Sequence, residues 1–181
     1  NTYAQIEELA RLKGKVSGVP TGYHELDNLL TGLHGGELIL IGARPSMGKT
    51  SFAINLAQYA AVKAGKTVAV FSLEMPREQI AMRMLCTEAS VDMQSVRRGL
   101  IDDDGWMRLT DALGPLASCR LYLDDTAGLS PSQLRSRCRR LMAEHGLDLI
   151  VIDYLQLMAA DGRHDNRQQE VSEISRTLKL I

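Results

Sequence analysis

The sequence is poor in the features that mark several large classes of protein. It has three cysteines, Cys86, Cys119 and Cys138, which lie far apart and show no metal-ligand spacing. Such an odd, scattered set predicts free thiols in a reducing cytosol and argues against a disulfide framework. No apolar run reaches the ~18 residues that a membrane span needs, so we expect a cytoplasmic protein.

An excess of positive charge is also missing. The chain carries 21 lysines and arginines against 22 aspartates and glutamates, which gives a formal net charge of −1. Proteins that hold nucleic acid by bulk electrostatic attraction are usually basic, so any contact with nucleic acid must be local. Apolar residues, in contrast, make up 45% of the 181 residues, which is enough to build the core of one domain.

Both ends of the sequence are typical of a fragment of a longer chain. Asn1 is not a methionine, and the polar residues after it show no signal-peptide pattern. The sequence stops at Ile181, within a stretch whose pattern predicts a helix. We therefore expect a fragment, with residues 1–16 as a linker helix and its connection and residues 17–181 as an incomplete core.

Short apolar runs of strand length alternate with helical patterns along the chain. The predicted strands cover residues 37–41, 67–71, 121–123 and 147–153. The first predicted helices cover residues 3–13, 23–30 and 51–64. Later helices are predicted after Pro76, around residues 106–116, and after a capping box at residues 130–133. Side chains predicted to face inward include Leu29 and Met142.

This alternation predicts the α/β class, with a mainly parallel sheet covered by helices on both faces. Ligands of open parallel sheets bind at the carboxyl ends of the strands. The residues that directly follow Ile41, Phe71 and Ile152 are therefore the ones whose chemistry matters most.

The strongest motif follows the first predicted strand. It fits the phosphate-binding pattern G-x-x-x-x-G-K-[ST], with Ala43 in the first glycine position. Gly48 lets backbone amides turn toward phosphate oxygens, and the N-terminus of the next helix adds positive partial charge. The alternative is a turn that binds no ligand. The predicted nucleotide-binding residues are Ala43, Arg44, Pro45, Ser46, Met47, Gly48, Lys49, Thr50 and Ser51.

Within this motif, Lys49 can reach the β- and γ-phosphates, so we predict it to be a catalytic residue. Thr50 can offer its hydroxyl to Mg²⁺. A second magnesium ligand is predicted at Asp153, because a carboxylate that ends an apolar strand is the usual partner of such a loop. The alternative is an aspartate that only ends its strand.

Glu74, just past the second predicted strand, is the candidate for the catalytic base. ATP hydrolysis needs a group that orients and polarises the attacking water. Many ATPases place a glutamate directly after the magnesium-binding aspartate, but that position is Tyr154 here. The base must then come from another strand end. The alternative is that Glu74 caps the helix that begins after Pro76.

Two positively charged segments are weaker candidates for nucleic-acid contact. Arg135, Arg137, Arg139 and Arg140 interrupt an amphipathic helix, which favours a solvated or subunit-facing surface. The polar loop of residues 161–167 has the composition of a mobile binding loop, although a plain surface loop is an equal alternative. The candidate DNA-binding residues in this loop are Gly162, Arg163 and Arg167.

Four blocks in this order resemble the RecA-like P-loop NTPase domain of DnaB-like replicative helicases. They are residues 42–50, 71–75, 152–158 and 166–176, and an N-terminal segment with Pro20, Thr21, Gly22, Leu26 and Asp27 precedes them. RecA recombinases and related repair ATPases share the loop and the aspartate, but they do not share the last block as it stands here.

The resemblance implies a homo-hexameric ring that binds Mg²⁺ and ATP at its subunit boundaries and pulls single-stranded DNA through its centre. It implies that Glu74 is the catalytic base and that the helix at residues 3–13 packs on a neighbouring subunit. It also implies that the arginine finger, a sensor glutamine and the main DNA loops lie beyond Ile181. Primase and a helicase loader are the partners implied for a full-length protein.

Two other functions remain open at this stage. One is a recombination or repair ATPase of the RecA kind. The other is an assembly module in which nucleotide binding controls ring formation without unwinding.

Overall fold

A computed structural model of the chain describes residues 16–159 and 167–179. The predicted helix at residues 3–13 lies outside the described residues, as do Gly162 and Arg163 of the predicted loop. None of the helices in the described ranges is both long and apolar enough to cross a membrane.

A parallel sheet of three strands forms the centre of the described fold. β1 (Val68–Ser72) lies between β2 (Leu121–Asp124) and β3 (Leu149–Asp153). Both neighbours run parallel to β1, so the chain crosses over through helices between successive strands. The predicted α/β class is confirmed.

The helices occupy most of the positions that the patterns predict. They are α1 (His24–Leu30), α2 (Lys49–Gln58), α3 (Arg77–Ala89), α4 (Met93–Arg98), α5 (Asp103–Ser118), α6 (Pro131–His145) and α7 (Arg167–Leu178). A π-helical turn (Tyr59–Lys63) extends α2, and a short 3-10 turn (Leu155–Leu157) follows β3. The capping box at the start of α6 is confirmed, because the Ser130 hydroxyl accepts from the Gln133 N–H (3.4 Å) and the Gln133 side-chain oxygen accepts from the Ser130 N–H (3.1 Å).

Helix α4 was not predicted from the sequence. Its signals are short-range: the Asp92 carboxylate accepts a hydrogen bond from the backbone N–H of Ser95, and Gly99 ends the helix at φ +68°. A helix of six residues is too short to show a clear apolar period.

The two faces of β1 pack against different helices. Ala69 and Phe71 belong to a cluster completed by α6 and α7, whereas Val68 and Val70 pack with α2. All five residues of β1 are buried, as expected for the central strand of a parallel sheet. Helices therefore cover both faces of the sheet.

Hydrogen bonds at both ends of β1 fix its register with β3. At the start, the Thr67 N–H donates to the Asp148 carboxylate (2.7 Å) and the Asp148 N–H donates to the Thr67 carbonyl (2.9 Å). At the end, the Leu73 N–H donates to the Asp153 carbonyl (2.7 Å). Because Ser72 is the register partner of Asp153, the two strands end level with each other.

The predicted first strand, residues 37–41, is wrong for this structure. These residues have no regular secondary structure, and Leu38, Ile39, Leu40 and Ile41 are between 36% and 68% exposed. An apolar run expresses a tendency to be buried, but a strand also needs a neighbour whose backbone groups are within reach. No strand of the described ranges pairs with this segment.

Two side chains predicted to face inward are exposed instead. Leu29 is 79% exposed, because the buried residue of the two-turn helix α1 is Asp27. Met142 is 54% exposed. It lies eight residues after the buried Leu134, and eight steps of about 100° place it about 80° away from the direction of Leu134.

Residues 16–22, predicted as an irregular connection, pack tightly against the domain. Val19 and Leu33 exchange backbone hydrogen bonds of 2.8 and 2.9 Å. At Gly18, an added Cβ would lie 2.5 Å from the Leu33 carbonyl oxygen, so only glycine fits. The close approach of these two segments requires the absence of a side chain.

A buried polar cluster holds this segment to α1 and α2. The Asp27 carboxylate accepts hydrogen bonds from the Thr21 N–H (2.8 Å), the Thr21 hydroxyl (2.8 Å) and the Gly22 N–H (3.3 Å). Thr21 is fully buried and Asp27 is 7% exposed. The Tyr23 ring, next in sequence, stacks on Phe52 of α2 at 4.9 Å.

The Asp27 cluster generates a stability prediction. Asp27→Ala should lower the free energy of unfolding by about 3 kcal/mol, because it leaves buried donors of Thr21 without an acceptor. Asp27→Asn keeps one carbonyl oxygen and should cost about 1 kcal/mol. Urea unfolding followed by circular dichroism measures both, and equal losses for the two variants would show that acceptor loss is not the cause.

Candidate functional site

The carboxyl ends of β1 and β3 bring two of the predicted acids to one edge of the sheet. Asp153 is the last residue of β3, and its side chain is almost fully buried. Glu74 lies two residues beyond Ser72, the register partner of Asp153. The prediction that chemistry gathers at this edge agrees with the geometry.

The predicted phosphate loop lies next to this edge and leads into α2. Ser46 and Gly48 adopt positive φ values of 65° and 87°, and Gly48 is the residue directly before the helix. Apart from Gly48 and its two neighbours in the chain, no heavy atom of the described residues lies within 4 Å of the place where a Gly48 Cβ would stand. The first backbone N–H groups of α2, which have no partner within the helix, are therefore open to an anion.

The Asp153 carboxylate joins the sheet to the first turn of α2. Its Oδ2 accepts a hydrogen bond of 2.6 Å from the Thr50 hydroxyl, and its Oδ1 lies 3.5 Å from the Lys49 ammonium. The same ammonium lies 3.9 Å from the centroid of the Tyr154 ring. Three residues predicted to act on nucleotide or metal, Lys49, Thr50 and Asp153, are thus in contact.

These groups fit both phosphate and magnesium. A hydroxyl and a carboxylate side by side are oxygen ligands of the kind that Mg²⁺ prefers, and Mg²⁺ is commonly held by few protein ligands together with phosphate. The ammonium and the helix N-terminus supply positive charge for the phosphate itself.

Glu74 lies exposed on the bend between β1 and α3. The bend is held by Ser72, whose hydroxyl donates to the Met75 carbonyl (2.7 Å) and accepts from the Met75 N–H (3.2 Å). The alternative that Glu74 caps α3 is not supported, because the Arg77 N–H in the first turn of α3 donates to the Asp125 carboxylate (3.1 Å). The Glu74 side chain is therefore not used as the cap.

The acid at the end of β2 is engaged differently. Asp124 forms an ion pair with Arg137 of α6, and the same guanidinium donates to the Thr126 hydroxyl (2.8 Å). Burial acts to raise the pKa of Asp124, but the hydrogen bonds from Arg137 and Thr126 outweigh it and lower that pKa. Arg137 thus has an intramolecular partner, whereas Arg139 and Arg140 are exposed as the sequence predicted.

Sequence reasoning missed Arg83, which lies beside the loop helix. One of its terminal nitrogens donates to the Ser51 hydroxyl (3.3 Å), and its buried Nε has no partner among the described residues. Arg83 also lines a pocket of about 380 Å³ together with Asn55 and Cys86. Arginines in helices are mostly exposed, so the sequence pattern predicts an exposed side chain here and does not indicate the contact with Ser51.

Of the three candidates for DNA contact, only Arg167 lies within the described residues. Arg167 begins α7. Among the described residues, no group of three or more His, Cys, Asp or Glu is arranged to hold a metal ion.

The parallel sheet, the strand-end carboxylate and the glycine-bearing loop before α2 define the class of RecA-like α/β domains. Residues 18–181 match the family model described as the DnaB-like helicase C terminal domain. The chain therefore belongs to the DnaB-like helicase C-terminal domain family.

Named relatives agree with this assignment. The replicative DNA helicase DnaC of Bacillus subtilis (strain 168) is 51% identical over 181 residues, which are 99% of this chain and 40% of the relative. The replicative DNA helicase DnaB of Geobacillus stearothermophilus is 49% identical, with the same coverage of both chains. The chain thus spans about 40% of the length of these curated relatives.

Solved structures agree in fold. A chain from the structure of a DnaB-like replicative helicase and its interactions with primase superposes with a TM-score of 0.89 at 33% identity. That match covers 99% of this chain and 43% of the other. A solved ATPase domain gives a TM-score of 0.92, also at 33% identity, and covers 99% of this chain and 64% of the other.

The contacts of Lys49 lead to a binding prediction. Lys49→Ala should weaken ADP binding about 10- to 100-fold, because a charge-assisted contact to phosphate contributes on the order of 1.5–3 kcal/mol. Arg139→Ala removes one positive charge from an exposed position on α6 and should leave the affinity unchanged. Isothermal titration with ADP and Mg²⁺ compares the two, and equal affinities for both variants would contradict the prediction.

Proposed function

We propose that this chain is the ATP-binding motor core of a hexameric replicative DNA helicase, which hydrolyses Mg²⁺-bound ATP to move along single-stranded DNA and unwind the duplex. The observation that carries the proposal is the contact of Lys49, Thr50 and Asp153 at the end of β3. Membership of the DnaB-like family supports the same activity, since the named relatives are replicative helicases.

The proposed binding residues surround the N-terminus of α2. Residues 43–51 cradle the phosphates with backbone N–H groups, and Lys49 contacts the β- and γ-phosphates. Thr50 and Asp153 are the proposed ligands of Mg²⁺, which when bound neutralises charge on the phosphate oxygens.

Glu74 is proposed as the base that orients and polarises the attacking water. Its support is its place at the same sheet edge as Asp153 and its absence from the cap of α3. Tyr154 follows Asp153 and has no carboxylate, so the neighbouring strand is the source of the base.

The remaining parts of the proposal concern the whole protein. Residues 1–16 would form the linker to a neighbouring subunit, and residues 17–181 the ATPase core. We propose that Gly162, Arg163 and Arg167 face DNA, although the core lacks a net positive charge and these contacts would be local. Primase and a helicase loader are proposed partners, and a cytoplasmic location is proposed for the ring.

Separate roles for the two acids can be tested in a full-length protein. Glu74→Gln should keep ATP affinity and lose most turnover, while Asp153→Asn should weaken the dependence of binding on Mg²⁺. Glu78→Gln, an exposed acid four residues further along, is the matched control and should change neither property. Normal turnover in Glu74→Gln would assign the base to another residue.

The contribution of a neighbouring subunit can be tested by comparing the 181-residue chain with a full-length protein. The 181-residue chain should bind nucleotide but turn it over slowly, because an arginine finger supplied in trans contributes about 10³–10⁵ in rate in related motors. Steady-state ATP turnover of this chain and of a full-length protein, each with and without single-stranded DNA, makes the comparison. Equal rates with equal DNA stimulation would place the missing groups within residues 1–181.

Unwinding itself separates the helicase from a nucleotide-switched assembly module. A full-length protein incubated with forked DNA and ATP should separate the strands, and the Glu74→Gln variant should not. Ring assembly with nucleotide but without strand separation would support the assembly module instead.

A further inference from the structure

We propose that Tyr154 is a positioning residue for Lys49, holding the ammonium over the face of its ring so that it meets the nucleotide phosphates in a fixed place. This inference rests on the proposed function, since it concerns how the same site binds nucleotide. Its observations are the 3.9 Å contact between the Lys49 ammonium and the Tyr154 ring and the 3.5 Å contact with Asp153.

The two contacts of Lys49 differ in physical character. Asp153 is a charged partner, but its other oxygen accepts the Thr50 hydroxyl at 2.6 Å. The Tyr154 ring attracts the ammonium through its quadrupole and carries no formal charge. The ring therefore holds Lys49 without neutralising it, which leaves the charge of the ammonium available for phosphate.

The surroundings of Lys49 explain why a second contact matters. The lysine side chain is 27% exposed, while that of Asp153 is 5% exposed. A lysine has several rotatable bonds, and ordering it on binding costs free energy. If Asp153 alone held the ammonium, Lys49 would be drawn toward the carboxylate that is the proposed ligand of Mg²⁺. Contact with the ring gives the ammonium a second partner that carries no formal charge.

The contact with Lys49 thus explains why an aromatic residue suits position 154. A glutamate here would place a second carboxylate next to Asp153 and would not offer the ammonium a ring face. An aliphatic residue would leave Lys49 with Asp153 alone. The contact is made by the face of the ring, so phenylalanine should replace tyrosine without loss of nucleotide affinity.

A double-mutant cycle on the 181-residue chain tests the proposal. The probe is ADP with a fluorescent methylanthraniloyl group, and the readouts are its dissociation constant and the melting temperature without nucleotide. Tyr154→Leu should weaken binding about three- to tenfold, and Tyr154→Phe should stay within about twofold of the original chain. In the Lys49→Ala background, Tyr154→Leu should have no further effect on affinity.

Each outcome has a definite meaning. If Tyr154→Leu weakens binding equally with and without Lys49, its role is structural and the proposal is overturned. It is also overturned if the leucine variant binds as tightly as the original chain, or if the phenylalanine variant is as weak as the leucine variant. If the original chain does not bind the probe, the proposed nucleotide site itself fails, which is a different result.

Discussion

The carboxylate of Asp153 is taken out of water at the end of a buried strand, and a buried carboxylate is tolerated only when it is hydrogen-bonded or paired. Its two partners, Lys49 and Thr50, are adjacent in sequence and lie in the first turn of α2. One side chain thus connects segments that are 103 residues apart. The position of the loop relative to the sheet depends on this connection.

Contacts near both ends of helix α2 hold it in place, and they thereby fix the position of the loop that precedes it. Near its start, Phe52 stacks on Tyr23. Near its end, the Gln58 amide donates to the Met84 carbonyl (3.1 Å) and to the Glu88 carboxylate (2.9 Å) of α3. Because α3 begins just after Glu74, the helix that carries Lys49 and Thr50 and the bend that carries Glu74 are connected through their helices.

The link between α2 and α3 has an electrostatic component. Lys63, at the end of the π-helical turn, forms an ion pair with Glu88 (2.5 Å), and its hydrogen bond lowers the pKa of that carboxyl against the opposing effect of burial. A carboxyl whose pKa is lowered in the folded state stabilises the fold above its unfolded pKa. That contribution is lost as the pH falls through the lowered value.

Those parts of the fold that depend on local pattern could be predicted from the sequence. The strand around Val70, the capping box at Ser130 and the acid at Asp153 are each specified by neighbours in the chain. The predictions failed where a partner distant in sequence decides whether a segment forms a strand or a side chain is buried. Residues 37–41 have the composition of a strand but no described strand beside them, and Leu29 lies on the outer side of its helix.

The same distinction applies to the site. The loop motif and Asp153 follow from spacing along the chain, whereas the contact of Lys49 with Tyr154 and the place of Arg83 beside Ser51 exist only in three dimensions. In the sequence, Tyr154 stands out only because it occupies the position where many ATPases have a glutamate. Its contact with Lys49 depends on the packing of α2 beside the end of β3, which no periodicity in the sequence encodes.

The hydrogen bonds between Thr67 and Asp148 have a consequence for how the sheet tolerates errors. The residues of β1 that belong to the core clusters are apolar on both faces, so the hydrophobic pattern alone gives little resistance to a slip of one residue between β1 and β3. Such a slip would turn Asp153 to the opposite face of the sheet, away from Thr50. The hydrogen bonds between Thr67 and Asp148, five residues before Ser72 and Asp153, therefore help to fix the register that brings Asp153 to Thr50.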